Sequence, residues 1–338
     1  MDLTECAFWF RQEYFPPFDK ALGGVLRLAA EKGCTELEVN LRIPPHCVFV
    51  PWARRLKTAA KSLIHPFVRE VPRFKLTKVD ASGSSGLLSD PYGRATFVTI
   101  INSSTTLTFL SLDLFGERQP SLSSITAPSI QFFTLNNPHL GGKVFESFLS
   151  RHPNIKVLSV CGSEVNFPRT NKGLSVKLHS LEHLRCSTEL LAYFLQNLDR
   201  CLPKITEVTV IRLVPSSPYS TLNRELEKIR SQLDGIPSLG LRTYPSRGIA
   251  LRDFKDADLV RKYITRLEFE ICPWTEPSRL GQWTMFPNVN CIKFYAMKNY
   301  MKPNPPRPLP LKELRSQIAQ YPRPVRVVME DGMESEAR

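Results

Sequence analysis

The stretch PNIKVLSV, residues 153–160, is the clearest copy of the pattern that decides the fold. Its apolar residues Ile155, Leu158 and Val160 stand at a first position i, at i+3 and at i+5. Because side chains alternate between the faces of a strand, the residues at i+3 and i+5 point into one core. The residue at i closes that core from the preceding turn. The stretch therefore predicts a short strand with one buried face.

This pattern recurs through the middle of the chain, and its eight copies start 23, 25, 26, 24, 31, 28 and 25 residues apart. Leucine-rich repeats carry such a pattern with a period of roughly 20–29 residues. One unit cannot bury its own apolar face, so neighbouring units stack. The copies are Leu107/Leu110/Leu112, Ile130/Phe133/Leu135, Ile155/Leu158/Val160, Leu181/Leu184/Cys186, Ile205/Val208/Val210, Ile236/Leu239/Leu241, Ile264/Leu267/Phe269 and Val289/Ile292/Phe294.

The repeats predict an α/β fold, namely an irregular leucine-rich-repeat-like solenoid. Its parallel sheet lines a concave face and its short helices lie on the convex face. Two weaker copies, Cys34/Leu37/Val39 and Val71/Phe74/Leu76, predict degenerate repeats with long insertions over 1–100. The solenoid itself spans 101–300, and 301–338 holds a Pro-rich connector, a C-terminal cap and a polar tail. An ordinary α/β domain is the alternative.

Amphipathic segments between the strands predict the helices. They are 144–151, 189–198, 221–234 and 253–264, with a longer helix at 51–65 inside the first insertion. Ser187 or Thr188 is expected to cap the second of these helices. The stretch ASGSSGLLSDPYG, residues 81–93, predicts a flexible loop.

Composition narrows the function classes. The net charge of +13 keeps nucleic acid open as a partner, but no nucleic-acid motif accompanies the charge. No apolar run approaches the roughly 18 residues of a membrane span. The eight cysteines form no C-x-x-C pair, and the first residues lack the features of a signal peptide, so we expect a cytoplasmic or nuclear protein.

Catalytic signatures are poor, so the sequence predicts no enzyme, cofactor or metal. His179 and His183 have a spacing that suits metal ligands on a helix, yet they flank a strand. His152 and Cys161 could form a base and a nucleophile, but no third orienting residue is evident. An α/β enzyme with an unrecognised site and a basic nucleic-acid-binding protein remain the alternative functions.

Three stretches resemble the repeat region of fungal F-box proteins with leucine-rich repeats. They are FESFLSRHPNIKVLSV (145–160), LHSLEHLRCSTELLAYFLQNL (178–198) and LPKITEVTVIRL (202–213). In that family a helix ending in FLSRxPN leads into the L-x-x-L-x-L strand, and the resemblance covers roughly 100–300. It implies substrate recognition in a ubiquitin ligase and contact with the ligase adaptor. The residues at 1–23 do not match an F-box, and position i+8 lacks the consensus Asn.

The concave face is where a protein partner is expected. Residues at i+2 and i+4 point away from the core and form rows across neighbouring strands. Exposed aromatic residues and arginines in such rows are typical of partner sites. The predicted partner-binding residues are Phe109, Phe132, Val157, His183, Arg185 and Arg266.

Overall fold

A computed structural model describes most of the predicted repeats. The chain divides into two compact units, which are Met1–Thr170 with Val176–Leu181, and Asn171–Ser175 with Glu182–Arg338. The residues that the structure describes are 5–9, 29, 32–40, 75–81, 91–113, 121–136, 142–161, 173–211, 219–243, 257–271, 286–296, 319, 324–329 and 334–335.

The described part of the first unit contains six strands that pair in sequence order. Every pair is parallel, as the repeat pattern predicts. The strands are β1 (Glu5–Trp9), β2 (Glu36–Asn40), β3 (Lys78–Ala81), β4 (Phe109–Asp113), β5 (Phe132–Asn136) and β6 (Val157–Cys161).

The second unit repeats this arrangement. Among its described residues six strands pair in parallel and in order, and a two-residue strand then pairs antiparallel with the last of them. These strands are β7 (His183–Ser187), β8 (Glu207–Ile211), β9 (Leu239–Thr243), β10 (Ile264–Ile271), β11 (Cys291–Ala296), β12 (Arg326–Met329) and β13 (Glu334–Ser335).

Short helices or a 3-10 turn lie in the described connections from β3 to β6 and from β7 to β10. None of the described helices is long and apolar enough to cross a membrane. The first unit has α1 (Pro91–Ser103), a 3-10 turn (Ser121–Ser124) and α2 (Gly142–Arg151). The second unit has α3 (Thr188–Leu195), α4 (Leu198–Cys201), α5 (Tyr219–Lys228), α6 (Arg230–Leu233) and α7 (Asp258–Tyr263).

The α/β class and the in-order parallel pairing of a leucine-rich-repeat-like solenoid are thus confirmed within each unit. All 24 residues of the eight predicted copies are buried. The helices predicted at 144–151, 189–198 and 221–234 are present with shifted ends. Within the helix predicted at 253–264, α7 covers Asp258–Tyr263 and Ile264 instead begins β10. Ser187 does precede α3, but its side chain makes no capping hydrogen bond. The helix predicted at 51–65 lies outside the described residues.

Two predictions in the first unit are wrong. The core of the third repeat is Leu76, Val79 and Ala81, so β3 begins later than the copy Val71/Phe74/Leu76 predicts. Leu76 ends one apolar pattern and begins the other, and the small Ala81 gives a weak signal. The loop predicted at 81–93 is wrong at both ends, because Ala81 lies in β3 and Pro91 begins α1. Pro suits the first turn of a helix because it needs no N–H bond there.

A fourth buried position precedes the pattern, at i−3. In six repeats the N–H of residue i donates to the carbonyl oxygen of this residue, which closes a turn. Three of these six repeats place Pro directly after it, at Pro153, Pro203 and Pro287, where Pro's fixed φ favours the turn. The buried residues at i−3 are Ser104, Ala127, His152, Leu178, Leu202, Leu233 and Phe286.

Polar side chains just before position i link successive repeats in the first unit. The side chain of Thr106 donates to the carbonyl oxygen of Leu76 at 3.0 Å, and Ser129 donates to that of Leu107 at 2.8 Å. In the next repeat the side chain of Asn154 donates to the carbonyl oxygen of Pro128 at 3.3 Å. These bonds satisfy backbone carbonyl groups at the turns, as the buried Asn does after the strand in regular repeats.

Candidate interaction faces

The side chains that point away from the core form the outer face of each sheet. In the first unit Phe109 on β4, Phe132 on β5 and Val157 on β6 occupy matching register positions. Adjacent strands lie about 4.8 Å apart, so these three side chains form one continuous row. We call them the apolar row.

Phe132 is the most exposed member of the apolar row, with 40% of its surface accessible to solvent. Among the described residues, no other large hydrophobic side chain is exposed. Phe109 and Val157 are half-buried. The ammonium group of Lys78, which is the register partner of Phe109, lies 6.0 Å from that ring. Lys78 is itself ion-paired with Glu36 at 3.0 Å, so the row ends at this ion pair on one side and exposes an aromatic surface at Phe132.

His152 and Cys161 belong to different environments in the first unit. The His152 ring is buried against Phe148, with ring centroids 4.1 Å apart, and its Nδ1 donates to the Phe148 carbonyl oxygen at 2.7 Å. Phe148 in turn packs on Phe133 of the core. Cys161 instead follows Val157 and Ser159 at alternate positions of β6, on the outer face. The structure does not bring the two together as a catalytic pair.

The outer face of the second unit is polar, and a change of register organises it. Leu267 lies opposite Leu241, whereas a straight continuation of the repeat would place it opposite Leu239. The register shift is two residues, an even number, so the same side chains still point into the core. An irregularity between Ile264 and Arg266 accommodates it. As a result Arg266 lies opposite Gly240, and the rows predicted from strand position do not run straight here.

Gly240 leaves room for the Arg266 side chain to lie across β9. A Cβ atom at Gly240 would lie 2.9 Å from Arg266 Nη2 and 3.0 Å from Nε. A glycine within a strand often marks such a close approach. Without a side chain at this position, the guanidinium group of Arg266 reaches residues of β8.

Arg266 is the centre of what we call the arginine cluster. Its Nη2 donates to Thr209 Oγ1 at 2.7 Å, its Nη1 to Ser238 Oγ at 2.7 Å and its Nε to Glu268 Oε1 at 3.0 Å. Thr209 Oγ1 also donates to Glu268 Oε1 at 3.1 Å. The side chains of Arg266 and Glu268 are 3% and 0% exposed. Glu268 Oε2 is buried without a hydrogen-bond partner among the described residues.

Glu207 joins the cluster to the more exposed cations. Its Oε2 lies 3.2 Å from His183 Nδ1, 3.3 Å from Arg266 Nη1 and 3.8 Å from Lys293 Nζ. Burial favours the neutral acid, but the charges of Arg266, Lys293 and His183 outweigh it and lower the pKa of Glu207. The carboxylate is therefore ionised at neutral pH and holds three donors together.

Tyr295 and its basic neighbours lie beside the cluster. The guanidinium carbon of Arg242 is 4.6 Å from the centre of the Tyr295 ring. Burial and the Glu268 charge raise the pKa of Tyr295 to about 12, although Arg185, Arg242 and Arg266 oppose this shift. Tyr295 is therefore a hydroxyl donor at neutral pH. We call Arg185, Arg242 and Lys293 the cationic rim.

The six predicted partner residues have different surroundings. Phe109, Phe132 and Val157 are adjacent, and all lie on the outer face of the first unit. In the second unit His183 is bound to Glu207, and Arg185 is half-buried opposite Thr209. Arg266 lies on the outer face as well, but it is buried and fully engaged by its neighbours, so it positions side chains around it.

Glu207 and Glu268 stand at outward positions of their repeats, at i+2 and i+4, but are not among the predicted partner-binding residues. Thr209, Ser238 and Gly240 were not predicted as parts of a cluster either. Two signals were present: the charged pair Arg266 and Glu268 within an otherwise apolar strand, and the glycine at 240 inside the preceding strand. Neither of these signals shows that the register between β9 and β10 is shifted by two residues.

Within the described residues, no group of three or more His, Cys, Asp or Glu side chains could hold a metal ion. His183 is engaged with Glu207, and His179 is exposed. No family model matches the chain, and no curated protein matches it.

Proposed function

We propose that this chain is a non-catalytic protein-interaction module that binds a partner protein through the outer face of its parallel sheet. The observation that carries the proposal is the apolar row, in which Phe132 is 40% exposed between two half-buried apolar side chains. Single exposed apolar residues are common on protein surfaces. An aligned row that includes two aromatic rings is typical of a surface that a partner covers.

The finer proposal concerns the assembly. The resemblance of 145–160, 178–198 and 202–213 to F-box proteins with leucine-rich repeats supports a role in substrate recognition by a ubiquitin ligase. Such a role places the protein in the cytoplasm or the nucleus, where it would contact the ligase adaptor. The in-order parallel strands of each unit suit this role, because repeat sheets offer broad open faces to protein substrates.

Affinity purification of the tagged chain from the cells that express it, followed by mass spectrometry, tests both levels. The test variant is F109S/F132S, and the matched control is Lys143→Ser, an exposed position on α2 of the same unit. A partner that is lost with F109S/F132S and kept with the control supports binding through the apolar row. A partner that both variants keep overturns it. Circular dichroism melts of each variant verify folding.

The co-purifying proteins decide the finer proposal. Recovery of the ubiquitin-ligase adaptor and a cullin would support ligase membership, and the remaining proteins would be candidate substrates. Recovery of a different stable partner, with adaptor and cullin absent, would overturn ligase membership and leave the interaction module standing.

A further inference from the structure

The register between β9 and β10 differs from that of the neighbouring strand pairs. In the pairs β7–β8, β8–β9 and β10–β11, the residues at position i+3 lie opposite each other. Between β9 and β10, however, the i+3 residue Leu267 lies opposite Leu241, which stands at i+5. A straight register would place it opposite Leu239. An interaction particular to β9 and β10 is therefore needed to explain the shift.

The apolar core does not select the shifted register. Leu239, Leu241, Leu267 and Phe269 are all buried. A straight register would pair Leu239 with Leu267 and Leu241 with Phe269, whereas the observed register places Phe269 opposite Thr243. A slip of two residues also keeps the same face of each strand in the core. Burial of apolar side chains thus permits both registers, so the selection comes from the outer face.

The outer side chains of β10 fit β8 and β9 in the shifted register. Arg266 lies opposite Gly240 there, and a Cβ atom at position 240 would come within 2.9 Å of its guanidinium group. The same register brings Arg266 to Thr209 Oγ1, and Thr209 Oγ1 to Glu268 Oε1. A straight register would move β10 by about 6.6 Å along β9. Arg266 would then lie opposite Ser238 instead of the glycine, and both bonds to Thr209 would be broken.

From these contacts we propose that the arginine cluster is a register lock, in which the Arg266 side chain crossing Gly240 fixes the shifted register of β9 and β10. Buried charges are costly without their partners, so the cluster disfavours the straight register. A single buried polar residue fixes the register of a coiled coil for the same reason. The lock also sets the layout of the outer face, since it places Arg242 opposite Glu268 and not opposite Glu270. It goes beyond the proposed function, because it requires no partner.

Disulfide formation between introduced cysteines in the full chain reports the register. Opposite residues of neighbouring strands lie about 4.8 Å apart, whereas an offset of two residues separates them by about 8 Å, which a disulfide does not bridge. L241C/L267C therefore reports the shifted register, and L239C/L267C reports the straight one. The two pairs are matched, because each replaces two buried leucines. Every variant also carries Cys272→Ser, since Cys272 shares a tryptic peptide with position 267. Mass spectrometry quantifies the linked peptides after brief oxidation with diamide.

The cysteine pairs are compared with the cluster intact, in R266M/E268L and in the matched control E225L/K228M. The control removes an ion pair of α5 in the same unit and leaves the cluster unchanged. With the cluster intact, L241C/L267C should form its disulfide at least about tenfold faster than L239C/L267C. In R266M/E268L the rate for L239C/L267C should rise by about tenfold or more, and in the control it should not change. An equal rate for L239C/L267C in all three backgrounds would overturn the proposal, because the register would then be independent of Arg266.

A second measurement covers the case in which the core cysteines prevent folding, which circular dichroism melts would reveal. A crystal structure of R266M/E268L, without introduced cysteines, shows the register of β9 and β10 directly. A straight register in that variant, with Leu267 opposite Leu239, supports the register lock. A shifted register would overturn it and assign the selection to the connections between the strands. Neither measurement involves a partner, so a failure of the proposed function would leave this test unaffected.

Discussion

The outer faces of the two units differ, although the same core pattern builds both. In the first unit, register-matched positions carry Phe109, Phe132 and Val157. In the second unit the outer positions hold the arginine cluster around Arg266 and the cationic rim beside it. A repeat constrains the side chains that face the core, whereas the outer side chains are free to vary. The repeat therefore determines the fold, whereas the outer rows give the two units different surfaces.

The largest expected effect on stability comes from breaking the arginine cluster. Replacing Arg266 with Met leaves Glu268, at 0% exposure, as a buried charge without its cation. Loss of one partner of a buried ion pair costs about 3–5 kcal/mol. Urea unfolding of the full chain should show a loss of this size in the free energy of unfolding.

The double variant R266M/E268L is the control for this prediction. Replacing both members of a buried pair by apolar side chains is often nearly neutral. E268L removes the buried Glu268 carboxylate that R266M leaves without a cation. The double variant should therefore be more stable than R266M, although Thr209 and Ser238 still lose the Arg266 donor. A double variant as unstable as R266M would show that the ion pair is not the source of the loss.

Gly240→Ala should destabilise the second unit by a smaller amount. The added Cβ would lie 2.9 Å from Arg266 Nη2, and neighbouring side chains hold that guanidinium group in place. Overpacking of this kind costs about 1–3 kcal/mol. Urea unfolding measures the loss.

The same substitution in the R266M background is the informative comparison. There the crowding is relieved, and Ala in a strand is favoured over Gly by roughly 0.5–1 kcal/mol. Gly240→Ala should then stabilise the chain. A loss in both backgrounds would mean that β9 itself, and not the arginine, requires the glycine.

The first unit also has a buried polar side chain, that of His152, but this one lies on the core side of the sheet and not on the outer face. His152 occupies position i−3, where other repeats hold Leu178, Leu202 and Leu233. Its Nε2 is buried without a hydrogen-bond partner among the described residues. His152→Leu removes this unsatisfied nitrogen, but it also removes the Nδ1 hydrogen bond to the Phe148 carbonyl oxygen. Each change is worth about 1–3 kcal/mol and the two have opposite signs, so we expect the free energy of unfolding at neutral pH to change by less than about 1 kcal/mol.

The pH dependence provides a second test of His152. Burial lowers the pKa of His152, and the Arg151 charge adds to this, while the bond to Phe148 opposes it. Below pH 6.5 the unfolded chain binds a proton that the folded chain does not, so stability falls as the pH drops and levels off below the folded-state pKa. Urea unfolding between pH 5 and pH 8 should show a weaker dependence for His152→Leu. An unchanged slope would assign the effect to other groups.

The core of this fold was predictable, because burial imposes a short-range period on the sequence. Each predicted copy from Leu107 to Phe294 is buried as expected. The pattern failed where its signal was ambiguous, as at Leu76, which two overlapping patterns share. It also failed at α1, where Phe97, Ile100 and Ile101 are buried in a segment with several β-branched residues, which are weak helix formers.

The candidate sites were only partly predictable, because they depend on register. The apolar row followed from strand position, since the register between β4, β5 and β6 is straight. The arginine cluster depends on the two-residue step between β9 and β10, which brings Arg266 opposite Gly240. Strand position within a repeat gives no information on such a step, so the pairing of Arg266 with Thr209 and Ser238 could not be derived from it.

The smallest expected effect on stability concerns Phe132, and it sharpens the comparison of the two faces. Phe132→Thr keeps a residue that suits a strand and removes a ring that is 40% exposed. Surface changes of this kind usually alter stability by less than about 0.5 kcal/mol. We therefore expect unfolding in urea to be nearly unchanged while partner capture is reduced. A loss above about 1 kcal/mol would mean that the apolar row stabilises the first unit, and would weaken its assignment as a binding surface.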